Sequence, residues 1–168
     1  MHRVGRLWAA GEIGVAHEHL ATQIATRVLV LAHEEARLAV ERAGRRALLA
    51  AAEGEQHVLA LDMAAKLLES SGYEVLPLGA DVPTSALPGI VAEHMPDLFA
   101  LTATMPESGD RVPAALDTVI QTAPDIGLIL GGAGVPPGLG LAPRALVLES
   151  VADVVDAADS LVRRTGLN

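Results

Sequence analysis

The stretch ALLAAAEGEQHVLALDMAAKLLESSGYEVLPLGADVP, residues 47–83, decides the fold. It opens on Ala47–Ala52, a short apolar run closed by Glu53-Gly54. His57–Ser71 follows with apolar residues at helical spacing. Ser70-Ser71-Gly72 then reads as a C-terminal stop, because glycine takes the left-handed conformation that ends a helix at little steric cost. Glu74–Leu78 is a second short apolar run. Strand, helix and strand in this order form a parallel unit. Its strands lie beneath helices on both faces, so they read as continuous apolar runs rather than alternating ones.

The same alternation continues downstream. Leu98–Ala103, Ile126–Leu130 and Ala145–Leu148 are further short apolar runs bounded by Gly, Pro or Asp. Between and after them lie amphipathic stretches at Thr84–His94, Pro106–Thr122 and Ser150–Arg163. Residues 45–168 are therefore expected to form a doubly wound α/β domain, flavodoxin- or Rossmann-like, with five parallel strands. Upstream the chain changes character. A short helix is expected around Arg3–Ala10, then a long one from Ile13 to Arg42 with Val15, Leu20, Ile24, Val28, Leu31, Leu38 and Val40 at mostly helical spacing. Two helices cannot close a core alone. Residues 1–44 are thus expected to be a partial helical bundle that caps the following domain or belongs to a longer bundle.

Composition limits the function. The chain has 168 residues, 51% of them hydrophobic, which is enough apolar surface to offset the entropy of folding. Its net charge of -9 disfavours direct nucleic-acid binding by this chain, since phosphates need cations. It has no cysteine, so thiolate metal sites, disulfides and a Cys nucleophile are excluded. No apolar run approaches the ~18 residues that span a membrane, and the charged start is unlike a signal peptide. A cytoplasmic protein is expected. Only 2% of the residues are aromatic, which makes the single Trp, Trp8, conspicuous.

In an open parallel sheet, ligands bind beyond the carboxyl ends of the strands. Three segments fall there: Glu53-Gly54-Glu55-Gln56-His57, Leu101-Thr102-Ala103-Thr104-Met105 and Leu130-Gly131-Gly132-Ala133-Gly134. None is a phosphate loop of the GxxxxGK[ST] or GxGxxG type, which disfavours the usual nucleotides. His57 is the informative residue. Its imidazole can project above the sheet while Glu55 orients the other ring nitrogen, the carboxylate–histidine pairing of metal sites. A solitary histidine near a helix start is ordinarily satisfied by solvent, and zinc would need three or four ligands that the spacing does not supply. A lone His suits a metal whose other positions a macrocycle already fills.

The run from Glu53 to Pro83, with Glu55-x-His57, Thr102-x-Thr104 and Gly131-Gly132, resembles the cobalamin-binding domains of methionine synthases, mutases and MerR-type photoreceptor repressors. The family signature is D/E-x-H-x-x-G, then S-x-L or similar, then G-G. The chain departs from it at Ala60, where a Gly is expected, and at Thr102, which replaces a Ser but keeps the hydroxyl. The resemblance implies that His57 is the lower axial ligand of cobalt and that Glu55 holds it. It also implies that Thr102 and Thr104 border the cofactor, and that Gly131 and Gly132 line the channel for its nucleotide tail. A side chain at Gly132 would then block the ligand while leaving the apo-protein nearly unaffected.

The segment LWAAGEIGVAHEHLAT resembles the cap of the light-sensing branch, including the stand-alone photocobilins, in which Trp is followed after nine residues by Glu-His. This resemblance places Trp8, Val15, Glu18 and His19 against the upper face of adenosylcobalamin. Ala9 stands where photoreceptors of this branch often carry a His able to take the upper cobalt position. The winged helix that precedes the bundle in the repressors is not present in this chain. The resemblance implies a cobalamin photosensor that is not an enzyme, signals by cap movement or changed assembly, and is a homo-oligomer, with a separate effector or a missing N-terminal region. Two alternatives stand beside it: a corrinoid carrier subunit of a methyltransferase, and a sensor that binds a bilin as well as cobalamin.

Overall fold

The computed structural model describes residues 2–36, 44–139 and 144–163. The chain divides into two compact units, Met1–Ala39 and Val40–Asn168.

The first unit holds α1 (His2–Ala9) and α2 (Val15–Ala36). The turn between them closes because the Gly11 N–H donates to the Trp8 carbonyl at 2.9 Å and the Glu12 N–H to the Leu7 carbonyl at 2.9 Å. The expected continuation of the second helix to Arg42 lies outside the described residues.

The second unit is built on β1 (Arg46–Ala51), β2 (Glu74–Gly79), β3 (Leu98–Thr102), β4 (Gly127–Gly131) and β5 (Ala145–Leu148). All neighbouring pairs are parallel and the order is β2-β1-β3-β4-β5. This is the flavodoxin-like winding, and its two halves diverge between β1 and β3. Successive side chains of a strand point to opposite faces, and the strands divide accordingly. Ala47, Leu49 and Ala51 of β1, with Leu98 and Ala100 of β3, pack under α3 (Leu59–Ser70) and α7 (Val154–Arg163). Leu48 and Ala50, with Phe99, Leu101, Leu128 and Leu130, pack under α4 (Leu87–His94) and α6 (Val112–Thr122). Both faces of the central strands β1, β3 and β4 are covered, which is why these runs are apolar, whereas the edge strands β2 and β5 stay partly exposed. With so few aromatics, Leu, Val and Ala supply nearly all of this core, around Phe99 and Tyr73.

Two expected helices are shorter than their hydrophobic pattern. The stretch 106–122 breaks into α5 (Pro106–Gly109) and α6, and Pro113 explains the break. Inside one continuous helix its ring would clash with the carbonyl four residues back, whereas in the first turn of α6 its missing N–H costs nothing. Similarly, a 3₁₀ turn at Thr84–Ala86 leads into α4, with Pro88 in the first turn of that helix. His57 also lies two residues before α3 rather than inside it, because the Glu55 side chain takes its N–H.

Candidate functional site

The loops after β1, β3 and β4 converge at the carboxyl edge of the sheet, and one side chain joins the first two. Glu55 is fully buried and accepts five hydrogen bonds. Its Oε1 takes the His57 N–H at 2.8 Å and lies 2.6 Å from His57 Nδ1. Its Oε2 takes the N–H groups of Thr104 at 2.5 Å and Met105 at 3.0 Å, and the Ser108 hydroxyl at 2.8 Å. Burial alone would raise the pKa of this carboxyl. The N–H groups of His57, Thr104 and Met105 and the Ser108 hydroxyl outweigh burial and bring it down to about 2.

The geometry shows which ring nitrogen of His57 faces the carboxylate. An ionised carboxylate can only accept, so the proton on Nδ1 must belong to the imidazole. In the neutral ring that leaves Nε2 with a free lone pair. The His57 side chain is 61% exposed while Glu55 is fully covered. A fixed, outward-facing imidazole backed by a buried carboxylate is the donor that a metal requires, held in one tautomer and one orientation. Among the described residues no three His, Cys, Asp or Glu side chains gather into a metal site. His57 can therefore supply one bond to a metal that arrives with its other ligands. These residues fit a corrin-bound cobalt.

The other expected residues are placed differently. Thr102, the last residue of β3, is buried, and its hydroxyl donates to the Gly131 carbonyl at 3.2 Å. This bond ties β3 to β4. Thr104 contributes its backbone N–H to Glu55. Gly132 has φ +105, and a Cβ there would overlap the Ala103 carbonyl of the neighbouring loop. This corrects the expectation that only a ligand needs the glycine: the protein's own backbone already demands it. Gly131 has open space around a built Cβ. In the helical unit, Trp8 is 51% and Val15 55% exposed, and His19 is exposed on α2. The side chain of Glu18 lies outside the described residues.

Ser108 and Asp81 were not singled out from the sequence. Ser108 is hidden in a stretch whose apolar spacing runs through the α5–α6 break, so it looks like a helix position. Asp81 lies in the LGADVP motif, but its partner Gly54 is 27 residues away in sequence.

A family model described as a B12 binding domain matches residues 45–157, and a second with the same description matches residues 1–31. The chain belongs to the B12-binding domain family. Its cofactor is accordingly a cobalamin or related corrinoid. The chain is 30% identical over 122 residues to the HTH-type transcriptional repressor CarA of Myxococcus xanthus, covering 73% of this chain and 42% of CarA. It is 32% identical over 121 residues to the HTH-type transcriptional repressor CarH of the same organism, covering 72% of this chain and 40% of CarH. The chain thus spans about two fifths of the length of these relatives. Among solved structures, the monomethylamine corrinoid protein of Methanosarcina barkeri shares the fold with a TM-score of 0.77 at 19% identity, over 95% of this chain and 76% of that one. No helix among the described residues is long and apolar enough to cross a membrane.

Proposed function

We propose that this chain is a cobalamin-dependent sensory module that responds to light, with adenosylcobalamin as its resting ligand. The observation that carries the reading is the Glu55–His57 pair, in which a buried ionised carboxylate leaves His57 Nε2 exposed and ready to bind cobalt. In this reading His57 would hold the cobalt, and Glu55 would orient its imidazole. Residues 45–168 form the cofactor domain, Thr104 and Gly131 border the ligand, and residues 1–44 form the cap. Trp8, Val15, Glu18 and His19 of the cap face the upper ligand. A half-exposed Trp in a chain with so few aromatics supports this role, since a broad flat ring suits an adenosyl group better than it suits a helix that Leu could fill. The similarity to two transcriptional repressors supports a signalling role over catalysis.

When bound, adenosylcobalamin supplies a light-cleavable cobalt–carbon bond. Trp8 and Glu18 would contact the adenosyl group, and a difference in those contacts between the two forms of the cofactor would shift the cap or the assembly between two states. The output is passed to a homo-oligomeric contact or to a separate effector.

The structural likeness to a monomethylamine corrinoid protein favours a second reading, a corrinoid carrier for methyl transfer. One experiment separates the two. The chain is loaded with adenosylcobalamin in the dark, and its absorption spectrum and sedimentation are recorded before and after green light. A shifted corrin band with altered sedimentation supports the sensor. A chain that ignores light but accepts methyl- or cob(I)alamin from a methyltransferase supports the carrier, and an additional red band supports a bilin. Failure to take up any cobalamin would overturn all three.

A further inference from the structure

The loop that carries His57 is clamped from the side by the loop after β2. Asp81 Oδ1 accepts the Gly54 N–H at 2.7 Å, and the Asp81 N–H donates to the Glu55 carbonyl at 2.9 Å. Nearby, the Val82 N–H donates to the Ala51 carbonyl at 3.1 Å and the Thr84 N–H to Glu53 Oε2 at 3.2 Å. The two bonds made by Asp81 grip the peptide groups on either side of the Gly54–Glu55 pair. Those peptide groups set the direction of the Glu55 Cα–Cβ bond, and therefore where its carboxylate meets His57. The loop needs such a grip, because Gly54 at φ +86 adds a freely turning joint immediately before Glu55. Asp81 itself sits at φ +53, a left-handed conformation that Asp and Asn tolerate better than other side chains. No part of Asp81 bonds to His57 directly.

We propose that Asp81 is a positioning residue for His57, acting through the backbone of Glu55 to keep the imidazole in the tautomer that can bind cobalt. This rests on the reading of His57 as the axial ligand. Three variants of the full chain separate the contributions of Asp81. Asp81→Asn keeps the acceptor and the tolerance for left-handed backbone. Asp81→Gly keeps the backbone conformation and removes the acceptor. Asp81→Ala removes both.

The first readout needs no cofactor. In ¹⁵N-histidine-labelled apo-protein, with His57→Gln used to assign the signal, wild type and Asp81→Asn should show His57 as the Nδ1–H form. Asp81→Gly and Asp81→Ala should show a second tautomer. The second readout uses the same labelled chains loaded with cob(II)alamin, in which a ligating imidazole splits the electron-spin resonance of cobalt. Asp81→Asn should keep the ¹⁵N splitting. Asp81→Gly should lose most of it, and should bind hydroxocobalamin about 10-fold more weakly, as when other outer-shell partners of a metal ligand are removed. If Asp81→Ala fails to fold, Asp81→Gly and Asp81→Asn still decide the matter. A folded Asp81→Gly with the wild-type His57 tautomer and wild-type splitting would overturn the proposal. Absence of splitting in the wild type would instead remove His57 as the cobalt ligand, and the apo-protein tautomers would still test Asp81.

Discussion

Replacing Glu55 by Gln tests whether charge, rather than shape, holds the ligand loop. The carboxylate accepts from five donors, on the loop after β1, the loop after β3 and the short α5 that follows it. Gln has one acceptor oxygen, so its NH₂ group must face either the two His57 donors or the cluster of Thr104, Met105 and Ser108. The worth of the charge follows from its pKa of about 2 against an ordinary 4.5. That difference corresponds to about 3 kcal/mol at neutral pH. Because the folded value is depressed, this stability is complete above pH ~4.5 and is lost as pH falls toward 2. Glu55→Gln should therefore be less stable by about 3 kcal/mol at pH 7, or about 6–12 °C in melting temperature for a chain of this size. At pH 3.5 the wild type has surrendered about 1.4 kcal/mol of that advantage while the variant has nothing to lose, so the gap narrows. Urea unfolding of both apo-proteins at the two pH values measures this. An equal gap at pH 7 and pH 3.5, or one below about 1 kcal/mol at pH 7, would refute the account of Glu55 as a buried, ionised hub.

The remaining expectations concern the ligand, the neighbouring loop and the cap. His57→Ala should keep the fold, since the side chain is mostly exposed, but should weaken cobalamin binding and alter the corrin spectrum. An unchanged spectrum would show that cobalt keeps another lower ligand. Gly132→Ala should destabilise the apo-protein by at least about 2 kcal/mol, because it combines a left-handed φ with a collision at the Ala103 carbonyl. Normal apo stability by thermal unfolding would argue against that collision. Trp8→Ala should still bind cobalamin through the sheet domain but lose its preference for the adenosyl over the hydroxo form. Equal loss of affinity for both forms, measured by titration in the dark, would reduce Trp8 to a prop within the cap.

What the sequence revealed follows from what is local. The central strands β1, β3 and β4 are buried on both faces, so their apolar runs are visible without knowledge of their neighbours. The Glu55–His57 pairing is likewise short-range, since two residues on one turn can meet through a side chain of Glu's length. Ser108 was illegible because apolar spacing carries through the break before α6, and only the consequence of Pro113 reveals that the helix is interrupted. The bond of the Thr102 hydroxyl to the Gly131 carbonyl joins residues 29 apart in sequence and depends on the register of β3 against β4, which composition cannot show. Asp81 depends on a contact with a distant glycine, which spacing alone does not disclose.

The strand order gives Glu55 its leverage. In the winding β2-β1-β3-β4-β5, the chain leaves β1 toward one edge and later returns on its other side to form β3. The loops at the carboxyl ends of β1 and β3 therefore part from each other and open the crevice where such sheets bind ligands. Glu55 spans that crevice at its base, with one oxygen on the β1 loop and the other on the β3 loop. If His57 held a metal as proposed, a pull on its ring would pass through one short hydrogen bond to Glu55 and from there to the backbone of Thr104 and Met105. Asp81 restrains the same residue from the side of β2. Three adjacent strands thus meet at one residue, two of them through its carboxylate and the third through its backbone. A Gln at this position would lack the acceptors, so the number of donors on both sides of the crevice calls for a carboxylate before any cofactor is considered.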